Sequence, residues 1–242
     1  MIRVFTAATA ICILVLPSVA QDGTASLTGK VQDAAGAIIP GVIAELGLER
    51  APISRFRAVT DGAGIYRFSG LPAGEYDLRL SSMGFNHLTV KSTRISEGEQ
   101  KSIPPLQLTI ATCADHGVRE SIRFLPPGDH QGDFVGEVRL EQRSLEDNSP
   151  PIAGAKVTLI CGAKRVCDTA KTDSQGEFRF VDLPPGEVSI QISHTGFYPL
   201  NDFGYAVDEG VESVYRPLYL ERCPRGNCDP KRRPKKPLMV CE

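Results

Sequence analysis

Along most of the chain, apolar and polar residues alternate one by one in short runs. Val42, Ala44, Leu46 and Leu48 occupy every second position, the period of a strand with one buried face. Tyr76, Leu78 and Leu80 do the same, as do Val157, Leu159 and Cys161, and Val188, Ile190 and Ile192. Tyr66 and Phe68 stand two apart, as do Phe178 and Phe180, so each pair faces one side of its strand. Turn compositions such as Asp61-Gly62-Ala63-Gly64 and Leu71-Pro72-Ala73-Gly74 separate the runs. After residue 20 no segment carries a convincing helical period. Short strands with regular glycine and proline turns predict an all-β chain of sandwich type.

The runs recur. Thr60-Asp61-Gly62-Ala63-Gly64-Ile65-Tyr66-Arg67-Phe68 returns as Thr172-Asp173-Ser174-Gln175-Gly176-Glu177-Phe178-Arg179-Phe180. Leu71-Pro72-Ala73-Gly74-Glu75 returns as Leu183-Pro184-Pro185-Gly186-Glu187, and Gly84-Phe85 as Gly196-Phe197, all at one offset of 112 positions. Upstream the offset drifts slightly, from Gly29-Lys30-Val31 to Gly136-Glu137-Val138 and from Gly41 to Gly154, as loop-length changes between two copies would make it. The copies are placed at 21–108 and 133–222. Residues 109–132 read as a linker stiffened by Pro126-Pro127-Gly128, in which Ile122 to Leu125 has the composition of a strand belonging to either copy. Residues 223–242 read as a Cys/Pro-rich basic tail.

Residues 1–20 break the pattern. Arg3 precedes an apolar run from Val4 to Leu16, Pro17 ends it, and Ser18-Val19-Ala20 supplies small residues before a polar start at Gln21. This is the layout of a cleaved signal peptide, with a run shorter than the roughly 20 residues a membrane span needs. Cys12 lies inside the run without the pattern of a lipid anchor. The expected product is secreted or periplasmic, with no transmembrane segment after cleavage.

Written as a pattern, each copy is G-x-V, then P-G or A-G before a strand, T-D-x-x-G-x-[YF]-x-F, L-P-x-G-x-[YV] and G-F. The first supplies Gly29, Val31, Pro40-Gly41, Thr60-Asp61, Gly64, Tyr66, Phe68, Leu71-Pro72, Gly74, Tyr76 and Gly84-Phe85. The second supplies Gly136, Val138, Ala153-Gly154, Thr172-Asp173, Gly176, Phe178, Phe180, Leu183-Pro184, Gly186, Val188 and Gly196-Phe197. This series resembles the carboxypeptidase regulatory-like domain, a transthyretin-like (prealbumin-like) module. The resemblance implies two tandem seven-stranded transthyretin-like β-sandwiches after a cleaved signal peptide. It implies settings such as bacterial surface proteins, the periplasmic ends of TonB-dependent transporters and the neighbours of carboxypeptidase catalytic domains, and a kinship with carbohydrate-binding-like folds. Similar surface sandwiches form Lys–Asn isopeptide bonds; Lys30 is a candidate amine, but no Asn stands near the end of the first copy to meet it.

Composition narrows the chemistry. Six cysteines remain after the leader, an even number in an exported chain, which favours disulfides. Cys161 and Cys167 flank a short hairpin loop, Cys223 and Cys228 flank another turn, and elimination leaves Cys113 with Cys241. The net charge of −2 becomes −3 without Arg3, and the positive charge crowds into Lys231, Arg232, Arg233, Lys235 and Lys236. The acidic body gives no footprint for nucleic acid, and like-charge blocks such as the tail are most often simply solvated. Trp is absent and aromatics make up 7%, which weakens a sugar-stacking platform.

No catalytic set emerges. His87, His116, His130 and His194 each lack the Glu three residues on that a zinc carboxypeptidase pair requires, and nucleophile elbows and phosphate-binding glycine loops are missing. Cys113 with His116, and Asp129 with His130 and Asp133, have ligand-like spacing but incomplete sets, so no metal, cofactor or catalytic residue is assigned. The resulting expectation is a non-enzymatic structural or interaction protein of the bacterial cell envelope, binding protein or envelope polymer through loops. A carbohydrate-binding protein using Tyr198, Phe203, Tyr205 and Tyr215 is the first alternative, and an accessory domain to a peptidase or outer-membrane transporter the second. The copies differ at 49–55 and 201–212, and the latter, with Asp202, Phe203, Tyr205 and Asp208, is the expected recognition loop.

Overall fold

The glycine of each G-x-V motif makes room for the aromatic of the other motif. β1 (Ala25–Asp33) buries every second residue from Ala25 to Val31. Its Gly29 lies opposite Tyr66 of β4 (Ile65–Leu71), where a Cβ would stand 2.1 Å from the Tyr66 hydroxyl. In the second copy Gly136 of β10 (Gly132–Leu140) lies opposite Phe178 of β13 (Glu177–Leu183), where a Cβ would stand 2.5 Å from the ring. The structure, a computed structural model, describes residues 24–48, 56–112, 117–128, 131–141, 149–162, 165–224 and 228. The proposed leader, the 49–55 difference and the basic cluster lie outside them.

The T-D-x-x-G motif closes the turn between sheets in the same way twice. Asp61 Oδ1 accepts from the amides of Ala63 and Ile65, at 2.9 and 3.0 Å, and Asp173 Oδ1 from those of Gln175 and Glu177, at 2.8 and 2.9 Å. Gly64 and Gly176 take φ of 72° and 78°, the left-handed region that glycine occupies at no steric cost. The Thr60 hydroxyl donates to Ile39 O and accepts from Val42 N; the Thr172 hydroxyl does so with Ile152 O and Ala155 N.

The Ile65 amide first, with Arg67 and Ala63 adding, holds the Asp61 carboxyl below its ordinary value of 3.8. A lowered folded-state pKa contributes stability above the unfolded value and loses it as pH falls through the folded one. Asp61→Asn keeps an acceptor oxygen and loses the charge. Its stability deficit should therefore be present at neutral pH and shrink as pH drops below about 4, as acid-to-neutral urea titrations of both proteins would report.

In the first sandwich β4 and β1 are joined by β7 (Gln100–Ser102) and β8 (Leu106–Leu108), both parallel to β1. The facing sheet runs β3 (Phe56–Val59), β2 (Ile43–Leu48), β5 (Gly74–Ser81), β6 (Leu88–Ile95). The second sandwich repeats this. β13 and β10 are joined by β16 (Val211–Tyr215) and β17 (Leu218–Leu220), facing β12 (Arg165–Lys171), β11 (Lys156–Cys161), β14 (Gly186–Ser193) and β15 (Leu200–Val207). β7 and β8 are one strand interrupted by Pro104-Pro105, and β16 and β17 one strand interrupted by Pro217, where proline removes a ladder donor. Counted so, each sandwich has seven strands among the described residues. The described residues contain no α-helix.

Phe68 and Phe180 are buried equivalents, 4% and 1% exposed. The Tyr66 hydroxyl is buried with no hydrogen-bond partner among the described residues, and burial raises its pKa well above the ordinary tyrosine value. An unpaired buried hydroxyl costs about 1–3 kcal/mol. Tyr66→Phe, matching Phe178 of the second copy, is expected to be as stable as the parent or up to about 1 kcal/mol more so in denaturant unfolding.

The segment expected to be a linker is more than a connection. Within 109–132, β9 (Arg119–Phe124) pairs antiparallel with β16 and parallel with β6 at Thr89 and Val90. A single nine-stranded sheet thus runs through both sandwiches. Ile122 and Val211 are buried in the core of the first sandwich, with Phe124 packed against it. The sequence explains why β16 accepts this strand while β7, its equivalent, does not. Val211 and Glu212 correspond to Glu99 and Gln100, and Glu99 is ion-paired to Lys101 at 3.3 Å. A polar, lysine-bearing edge repels strand addition.

Candidate functional site

The 201–212 segment is not a loop, which corrects the expectation. Residues Leu200–Val207 form β15, paired antiparallel with β14, with a register shift between Val188 and Ile190. The bulge places Phe203 and Gly204 together on the outside, so Asp202 and Tyr205, three apart, both point inward. Strict alternation would have put them on opposite faces, which is why period-2 reading failed here. At the repeat offset the first copy has the same bulge in β6, with Ser92 at φ 54° where the second has Gly204 at φ 86°.

Of the four expected recognition residues, two belong to the interior. Asp202 is 4% exposed and Tyr205 3%, and the Tyr205 hydroxyl donates to Asp202 Oδ2 at 2.6 Å. Burial first, then the bond to Asp202, raises the Tyr205 pKa far above its ordinary range and keeps the phenol a donor. Asp202 Oδ1 accepts from the Phe203 amide at 2.9 Å and so braces the bulge. Asp208 is tied to Arg119 at 2.6 Å. Asp208 is nonetheless exposed, and Phe203 is the one apolar member of the four that is displayed, 68% exposed.

Phe203 rims a groove of about 480 Å³ on the outer face of β11, β14 and β15. Ile160 and Ser189 lie side by side across the strands, Glu187 faces Ala206, and Gly204 leaves the floor open. The hairpin beside it is closed by the Cys161–Cys167 disulfide, with a Cα separation of 5.9 Å. Cys223 and Cys228 are also joined, at 5.1 Å. Cys113 and Cys241 lie outside the described residues.

Other expected groups have structural partners. Asp133 accepts from Arg179 and from the Asp182 amide; Cys113, His116, Asp129 and His130 lie outside the described residues. Lys30 sits between the buried positions Gly29 and Val31 and so points away from the core. The alternative sugar platform loses three of its four aromatics: Tyr198, Tyr205 and Tyr215 are 2–3% exposed.

Sequence reading missed the charged clamp around β9. Arg119 donates to Asp208, to Ala206 O at 3.3 Å and to the Tyr215 hydroxyl at 3.2 Å. Burial works against its charge, and Tyr215 and Asp208 more than offset it, so its pKa is raised. Glu212, 6% exposed, takes Arg123 of β9 on both oxygens, at 2.8 and 2.9 Å, and also Arg179 of β13. The available signal was a buried-side Glu at a position occupied by Gln100 in the first copy.

The family model of the carboxypeptidase regulatory-like domain matches residues 26–109, which hold β1–β8, and residues 145–216, which hold β11–β16 of the second sandwich. The chain belongs to the carboxypeptidase regulatory-like domain family. Both matched segments are regulatory-like domains. By sequence it is similar to the serine-aspartate repeat-containing protein D of Staphylococcus aureus, 27% identical over 184 residues, covering 76% of this chain and 14% of that protein. It is also similar to the bone sialoprotein-binding protein of Staphylococcus aureus, 27% identical over 140 residues, covering 57% of this chain and 12% of that protein. The regulatory-like chain therefore spans about an eighth of the length of these relatives. Among solved structures it is similar to a minor pilin of Streptococcus agalactiae, 15% identical, covering 89% of this chain and all of that one at a TM-score of 0.32. No described helix is long and apolar enough to cross a membrane.

Proposed function

We propose that the chain is an extracytoplasmic structural and adhesive protein that holds a partner protein against the groove beside Phe203. The observation that carries this reading is the display of Phe203 by a braced bulge. A large aromatic, 68% exposed beside a groove on a disulfide-closed sheet, is the kind of anchor that concentrates binding energy at interfaces. Asp202 and Tyr205 serve it from beneath. A relative named for binding bone sialoprotein supports a protein partner, and the leader-like residues 1–20 support export, with a mature start at Gln21.

Phe203→Asp should abolish capture of a protein from a native envelope or extracellular fraction, while Val181→Asp, at an exposed valine of β13, should leave it intact. Equal capture by both variants and the parent would overturn the reading. N-terminal sequencing of exported protein should begin at Gln21; an intact Met1 would contradict export by cleavage.

A further inference from the structure

We propose that both sandwiches are built to carry tension along the chain. The first and last strands of each lie side by side and parallel. In the first, Ser26, Leu27 and Thr28 of β1 pair with Gln100, Lys101 and Ser102, and Val31, Gln32 and Asp33 pair with Leu106, Gln107 and Leu108. In the second, Asp133, Phe134 and Val135 of β10 pair with Glu212, Ser213 and Val214, and Val138, Arg139 and Leu140 with Leu218, Tyr219 and Leu220.

Geometry then decides how a pull is resisted. The chain enters the first sandwich at Ala25 and leaves at Leu108, which pairs with Asp33 at the far end of β1. At about 3.3 Å per residue, entry and exit are separated by roughly 26 Å along the strand axis. Tension between the ends draws β1 one way and β8 the other. The strands must slide past each other, which loads the ladder bonds of both blocks together instead of one after another. Sliding would also drag Leu27, Val31, Ile103, Leu106 and Leu108 from a core in which each is at most 5% exposed. In the second sandwich Glu212 adds a lateral tie, reaching across β10 to Arg179.

A hairpin loaded at its two adjacent ends has none of this protection, because its bonds open singly. Ala25 pairs with Leu71, so force applied between the N-terminus and the Pro72-Ala73 turn would peel β1 from β4. The proposal does not depend on what the Phe203 face binds, and its test uses no partner.

The test is single-molecule force spectroscopy on the full secreted chain. With handles at its two ends, two unfolding events are expected at forces severalfold above the event seen with handles at the N-terminus and at Ala73→Cys, at the same pulling speed. Equal forces in the two geometries would overturn the proposal. The Ser26 amide donates to Glu99 O at 2.8 Å. Ser26→Pro removes that bond and should weaken one of the two end-to-end events, leaving the other as an internal reference. Ser26→Ala keeps the bond and should change neither. Ser26→Pro that leaves both events unchanged, or equal weakening by Ser26→Ala, would equally refute a load-bearing ladder.

Discussion

Phe134→Ala is expected to destabilise the second sandwich by about 3–5 kcal/mol, the range for emptying a buried phenylalanine site. Phe134 is fully buried and stands at the centre of an aromatic cluster. Its ring lies 4.6 Å from Tyr215 and 5.4 Å from Tyr205, stacked on the first and edge-on to the second, with Phe178 and Phe180 at 6.1 and 6.5 Å. Such pairs contribute about 0.5–1.5 kcal/mol beyond area burial, and one substitution removes all four. Tyr215 and Tyr205 are fixed at their hydroxyls by Ala206 and Asp202, so the neighbours have little freedom to collapse into the space. Urea unfolding followed by tyrosine fluorescence checks the size. A cost under about 1 kcal/mol would mean that β10 is out of phase, since a one-residue slip moves every side chain to the other face.

Ile122→Asp is expected to uncouple the two sandwiches. Ile122 is 4% exposed and belongs to the first core although it lies between the copies. Truncating a buried isoleucine costs about 2–5 kcal/mol, and a carboxylate there adds the penalty of an unpaired buried charge. β9 would then leave β6, where it is held at two backbone positions, while its antiparallel pairing with β16 and the Arg123–Glu212 pair persist. The parent should unfold in calorimetry as one cooperative unit; the variant should show two separable transitions. A single transition in Ile122→Asp, little shifted from the parent, would show that the sandwiches are not joined through this strand.

How much of this was legible in the sequence depended on whether a residue's role was local. Asp61, Gly64, Tyr66 and Phe68 act within one turn and one strand, and their repetition as Asp173, Gly176, Phe178 and Phe180 revealed both copies and their core phase. The G-x-V glycine could be found but not explained, because Gly29 matters only for a ring that β4 brings opposite it. The bulge at Phe203-Gly204 broke the alternation that marks a strand, so β15 read as a loop and its inward Asp202 and Tyr205 read as recognition residues. β9 was legible in part: Ile122 to Leu125 reads as a strand of either copy. That it joins both shows only when Val211 and Val90 stand on either side of it.

The most direct measurement of the central claim, that β9 makes the two regulatory-like copies one rigid body, is a set of amide residual dipolar couplings from the chain in dilute aligned medium. The account predicts that couplings from β1–β8 and from β10–β17 fit one alignment tensor with a common magnitude and orientation. Two tensors of different magnitude would show independently moving sandwiches and would contradict it.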